Sequence, residues 1–97
     1  MNRSEIIAKQ QQFLFPSVAT FYAEPLPLTR GEGKFVWDVD GKRYLDFFGG
    51  IVTVGIGHCH PKVTAKIAQQ VRTLQHTSTF FPHEATVRLA EKMAEIA

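Results

Sequence analysis

The chain has 97 residues, eleven of them basic and nine acidic, for a net charge of +2. That length fits one small domain, which hides roughly 60–65% of its unfolded surface and so builds only a modest core. Both signs are scattered and no basic block marks the chain for nucleic acid or anionic lipid. The 44% hydrophobic content argues against disorder. No window approaches the ~18 apolar residues of a membrane span, so no membrane partner is expected. Cys59 is the only cysteine, which excludes an internal disulfide and makes a reducing cytosol the default. At the N-terminus, Glu5 and Gln10 to Gln12 interrupt the apolar run that a signal peptide needs. A soluble cytoplasmic protein is the expectation.

Asn2 and Glu5, three residues apart, resemble a capping pair, and Ile6, Ile7, Phe13 and Leu14 follow at helical spacing. Residues 3 to 14 are therefore expected to form a short amphipathic helix, which at about 12 residues must dock on something to be stable. Pro16, Pro25 and Pro27 then punctuate a stretch whose apolar residues, Val18, Phe21, Tyr22, Leu26 and Leu28, are too many for a free linker. It reads as an extended, irregular arm lying on protein surface, with Tyr22 as an anchor or as part of a site wall.

Phe35, Trp37 and Val39 alternate with Lys34, Val36 and Asp38, and Asp40-Gly41 follows. Asp-Gly accepts the positive φ angles of a type I′ turn, so a hairpin is expected, with Lys42 to Phe47 as the return strand. Gly49-Gly50 and the Gly55/Gly57 pair frame four β-branched residues, Ile51, Val52, Thr53 and Val54. Stiffness at χ1 suits that run to a third, buried strand of an antiparallel meander. Trp37 is expected to be core or docking surface.

Pro61 opens a second helix, with Val63, Ile67, Val71 and Leu74 on one apolar stripe. A loop from His76 to Pro82 carries the adjacent aromatics Phe80 and Phe81. A third helix from near His83 repeats the stripe through Ala85, Leu89, Met93 and Ile96. That stripe runs to the last residue with no Gly, Pro or closing basic residue, so further chain is expected to follow and the segment reads as a fragment. The elements predict an α+β segment: an N-terminal helix, a three-stranded antiparallel meander and two helices. Residues 1–32 form the helix and arm, and 33–97 the folded remainder.

No catalytic set emerges from the residues alone. His58-Cys59-His60 places three would-be ligands side by side, whereas zinc ligands are usually spaced so that the chain can wrap the ion. Gly55-Ile56-Gly57 mimics part of a dinucleotide fingerprint, but His60 stands where the third glycine belongs. Cys59 has no assignable oxyanion donors, and Asp38, Asp40 and Asp46 suit turn and strand-edge roles. No lysine has the setting of a buried, activated amine. Two readings without a cofactor remain open on these grounds: a stand-alone protein-interaction module and a small nucleotide-binding domain.

The run WDVDGKRYLDFFGGIVTVGIGHCHPKV, followed by Ile67-Ala68-Gln69-Gln70 and then HTSTFF, resembles the class III pyridoxal-phosphate-dependent aminotransferases. The likeness reaches back through LFPSVATFYAEPLPLTRGEG and is similar in detail to the alanine–glyoxylate and ω-amino-acid aminotransferase subgroup. It implies an α/β parent of fold-type I, in which residues 33–97 begin the small domain. It also implies a homodimer that uses pyridoxal 5′-phosphate to move an amino group from an amino acid or ω-amine to a 2-oxo acid. In the family the lysine, aspartate and phosphate-binding turn that hold the cofactor lie further along. None of the 97 residues is therefore expected to hold it, and the segment alone should be inactive. The residues implied for substrate contact are Tyr22, Ala23, Ile51, Phe80 and Phe81. Positions matching Ala23 and Ile51 carry tyrosines in ornithine-specific relatives; their apolar character here implies a smaller or less polar donor.

Overall fold

Asn2 closes the first helix at its N-terminus as its spacing suggests. In the computed structural model, which describes every residue except Ala19 and Phe21, its Oδ1 accepts from the Glu5 amide at 2.9 Å. The Glu5 carboxylate accepts from the Asn2 amide at 3.0 Å in return, completing a capping box. Helix α1 runs Arg3–Phe13. Phe21, expected to lie on protein surface, is outside the described residues. The chain divides into two units, Met1–Pro61 and Lys62–Ala97.

The first unit is built on a three-stranded antiparallel sheet in the order β1-β2-β3, with β1 Leu28–Glu32, β2 Phe35–Asp38 and β3 Arg43–Leu45. The expected meander is present, but its membership differs. The supposedly irregular arm contributes β1, and Ile51 to Val54 are not a strand. Gly31 pairs with Val36, and Val36 in turn with Tyr44. Val36, 8% exposed, is the one buried apolar side chain among the described residues, and Asp38, 1% exposed, is buried beside it on the same strand face. Trp37 lies half-buried on the opposite face, with the Arg30 guanidinium 4.0 Å above its ring and Phe35 edge-on at 6.3 Å.

The hairpin turn also departs from the type I′ expectation. Gly41 has φ +85° while Asp40 keeps an ordinary φ, and the Gly41 amide donates to the Asp38 carbonyl at 3.0 Å. This is a three-residue loop closed by a residue in the left-handed region. Its organiser is the Asp38 carboxylate, whose Oδ1 accepts the amides of Asp40 (3.0 Å) and Lys42 (2.9 Å).

In place of the expected third strand there is a single helical turn, α2 Gly49–Val52, whose four φ angles all lie between 60° and 64°. Two glycines carry the chain into the left-handed region. Thr53 and Val54 then donate their amides to the Gly49 carbonyl at 3.0 and 3.1 Å, which folds the segment on itself instead of extending it. Local strand propensity is overridden by these closures.

Helix α3 covers Pro61–Thr73, all but its first residue in the second unit, and α4 Glu84–Ile96. Both helices begin where expected. Their apolar stripes, including Val63, Ile67, Leu89 and Met93, are exposed within that unit. Among the described residues no helix is long and apolar enough to cross a membrane.

Candidate functional site

Two buried or half-buried carboxylates organise the first unit. Asp38 Oδ2 accepts from the Tyr44 hydroxyl at 2.8 Å and from Arg3 Nη2 at 2.9 Å, and Arg3 Nε donates to Asp40 at 2.6 Å. Helix α1 is thereby tied to the hairpin loop by a fork of charge-assisted bonds. Burial pushes the Asp38 carboxyl up, but the Tyr44 hydroxyl, the Lys42 and Asp40 amides and the Arg3 guanidinium outweigh it and hold the group below its ordinary value. The bonded carboxylate raises the Tyr44 hydroxyl in turn.

Asp46 does for the following loop what Asp38 does for the hairpin. Its Oδ1 accepts the amides of Phe48 (2.8 Å) and Gly49 (3.0 Å), and its Oδ2 accepts from His58 Nε2 at 2.6 Å. The Gly49 amide, the His58 ring and the Phe48 amide hold the Asp46 carboxyl below its usual value. Both partners are anchored to the hairpin. The Asp46 amide donates to the Lys34 carbonyl, and His58 exchanges backbone bonds with Gly33 at 2.8 and 2.9 Å. Gly57 passes so close to Gly33 that a Cβ on it would sit 3.0 Å from the Gly33 carbonyl oxygen.

Residues 47–57 therefore form a loop with both ends fixed, and its tip is apolar. Phe47 is 93%, Val52 90% and Ile51 76% exposed. Ile51 adopts φ 60°, ψ 63°, where the Cβ crowds the backbone, and a β-branched residue there is strained. Beside the loop, Tyr22, Leu26, Val36, Leu45, Phe47 and Phe48 line a mainly apolar cleft of about 760 Å³.

Of the residues implied for substrate contact, Tyr22 lines this cleft. Ala23 is exposed next to it in sequence and Ile51 projects from the left-handed turn; neither lines the cleft. Phe80 and Phe81 belong to the second unit, on an exposed turn before α4. Sequence reasoning passed over Asp46, Phe47 and Phe48 as site-building residues. The Asp-x-x-Gly spacing of Asp46 and Gly49 was the available signal, since an aspartate often caps amides two and three residues on. The Nδ1 of His60 is buried without a partner among the described residues. Among the described residues no group of three His, Cys, Asp or Glu is placed to hold a metal. All six lysines, Lys9, Lys34, Lys42, Lys62, Lys66 and Lys92, are exposed, so none offers the buried amine that would bond a cofactor.

A helix followed by three short antiparallel strands and further helices is a segment of the fold-type I pyridoxal-phosphate-dependent transferases. The acetylornithine aminotransferase of Elizabethkingia anophelis superposes with a TM-score of 0.89 at 32% identity, over 98% of this chain and 23% of that one. A family model described as aminotransferase class-III matches residues 18–97, and the chain belongs to that family. The mitochondrial alanine–glyoxylate aminotransferase 2 of Homo sapiens is 43% identical over 93 residues, 96% of this chain and 18% of that protein. The ornithine aminotransferase of Toxoplasma gondii, in a structure described as showing partial occupancy of PLP at the active site, matches with a TM-score of 0.82 at 33% identity, over 98% of this chain and 21% of that one. The chain thus spans about a fifth of the length of these relatives.

Proposed function

We propose that these residues serve within a larger class III aminotransferase, which moves an amino group from an amino acid or ω-amine to a 2-oxo acid. The observation that carries this reading is the family match across residues 18–97. The cofactor is pyridoxal 5′-phosphate, which when bound supplies an electron sink for the amino-acid carbons. The described residues do not fit as its holders, because every lysine is exposed and no buried donor set converges. Their part is to shape and dry the substrate pocket, while the groups that bond the cofactor lie elsewhere in the protein.

Within that division of labour, residues 1–32 are the N-terminal helix and an arm that ends in β1, and residues 33–97 begin the small domain. Tyr22, Ala23 and Ile51 are assigned to substrate contact, Tyr22 from the cleft and Ile51 from the left-handed turn beside it. Phe80 and Phe81, exposed on their own turn, serve contacts at a homodimer interface where substrate enters. Apolar side chains at Ala23 and Ile51 offer no hydrogen bond to a distal ammonium, so we assign a short amino acid or a weakly polar amine as donor. We place the protein in the cytosol on its single, exposed, unpaired Cys59. Fractionation tests that placement against the mitochondrial location named for the human relative.

The test is amino transfer by the intact protein that contains these residues. Transfer from alanine and from short ω-amines that depends on added pyridoxal phosphate supports the reading. Absence of transfer from every donor by a folded, cofactor-supplied protein overturns it.

A further inference from the structure

The two ends of the 47–57 loop meet at one side-chain contact. Asp46 Oδ2 and His58 Nε2 lie 2.6 Å apart, both half-buried, and each residue is also bonded through its backbone to the hairpin. Asp46 Oδ1 meanwhile holds the Phe48 and Gly49 amides, which are the entry to the left-handed turn. The turn is strained at Ile51 and Val52, with φ of 60° and 64°. Strain of this kind persists only where the surroundings over-determine the backbone. Here the over-determination has a visible source, a carboxylate that fixes the entry and a histidine that fixes the exit.

We propose that Asp46 and His58 are a positioning pair: by joining the ends of the 47–57 loop they hold its apolar turn at one setting, and so decide which amino donor the Ile51 wall admits. This rests on the aminotransferase reading. The pair touches no reacting atom; it acts through the loop. Released from the pair, the turn relaxes toward ordinary φ values and Ile51 moves off the wall. Misplacement of about 1 Å at a substrate-orienting surface is enough to change turnover by up to about a hundredfold.

The experiment uses the intact protein with Asp46→Ala, His58→Ala, their double variant, and His58→Gln, whose side-chain amide replaces the Nε2 donor. Arg3→Ala serves as a destabilised control away from the loop. Two quantities are read: amide exchange of residues 47–57, and the ratio of KM values for alanine and a longer ω-amine. Either alanine variant is expected to speed exchange about tenfold or more and to shift the KM ratio about tenfold, with kcat for the better donor changed far less. The double variant should be no worse than the singles, and His58→Gln should restore most of the ratio. Should the alanine variants not fold, His58→Asn, too short to reach Asp46, replaces them and is expected to shift the ratio where His58→Gln does not. An unmoved ratio, an equal shift in Arg3→Ala, or no difference between the Gln and Asn variants overturns the positioning role while leaving the function standing. A wild-type protein without transferase activity overturns both.

Discussion

A Cβ built on Gly31 would lie 2.7 Å from Cγ of the His58 ring, closer than real Cβ atoms approach anything. Only a glycine lets β1 pass beneath the imidazole that closes the loop. Gly31→Ala must therefore push the ring aside, at a cost of about 1–3 kcal/mol as for other overpacked sites. Gly55 has open space where its Cβ would go and no positive φ. Gly55→Ala is expected to be neutral or to stabilise by up to about 1 kcal/mol. Denaturant midpoints of the two variants check the contrast.

Stability should fall in acid for a definite reason. Asp38 and Asp46 both titrate below their ordinary value of 3.8 in the folded chain. Below 3.8 the unfolded chain binds protons that the folded one resists, so their contribution is present above that pH and is lost as pH falls through the folded values. Melting curves from neutral pH to about pH 2 should show this acid limb. Asp38→Asn and Asp46→Asn should each start lower at neutral pH and fall less in acid. A limb as steep in both variants as in the wild type would contradict the assignment.

Helix α1 is held at its N-terminal end twice, by the Asn2 capping box and by Arg3 on Asp38 and Asp40. Asn2→Ala should weaken it by about 1 kcal/mol, and Asn2→Gly by only a few tenths. Arg3→Ala should speed amide exchange in residues 6–13 roughly three- to tenfold while leaving the sheet protected. Exchange followed by mass spectrometry separates the two.

Ile51 sits where asparagine or glycine is at ease and a β-branched residue is not. Ile51→Asn is expected to stabilise the protein by about 1 kcal/mol while impairing use of apolar donors, a trade of stability against function. Ile51→Tyr combined with Ala23→Tyr should instead move the donor preference by about tenfold or more toward amines with a distal ammonium. Ratios of kcat/KM for paired donors report the change.

The local devices were legible in the sequence and the long-range ones were not. Asn2 and Glu5 announce their own capping box, and the stripes of α3 and α4 announce their helices. The Asp40-Gly41 pair marks the hairpin but not its loop length, because Asp38, two residues earlier, recruits the amides that set it. Ile51 to Val54 carry every local mark of a strand. Their conformation is decided instead by Asp46, His58 and Gly33, contacts separated by up to 25 residues in sequence and invisible to a window. Leu28 to Glu32 fail in the opposite sense, reading as irregular because prolines precede them, yet pairing once β2 supplies an edge. For the same reason Tyr22, Phe47 and Phe48 could not be gathered into one cleft from spacing alone.

We propose that these residues wall a pocket whose cofactor is bonded elsewhere in the protein. Borohydride reduction of the intact, pyridoxal-phosphate-loaded protein, followed by peptide mass spectrometry, tests it most directly. The expected result is one cofactor-labelled lysine outside Met1–Ala97. A label on any of the six lysines within it, or no label on an active protein, would contradict the claim.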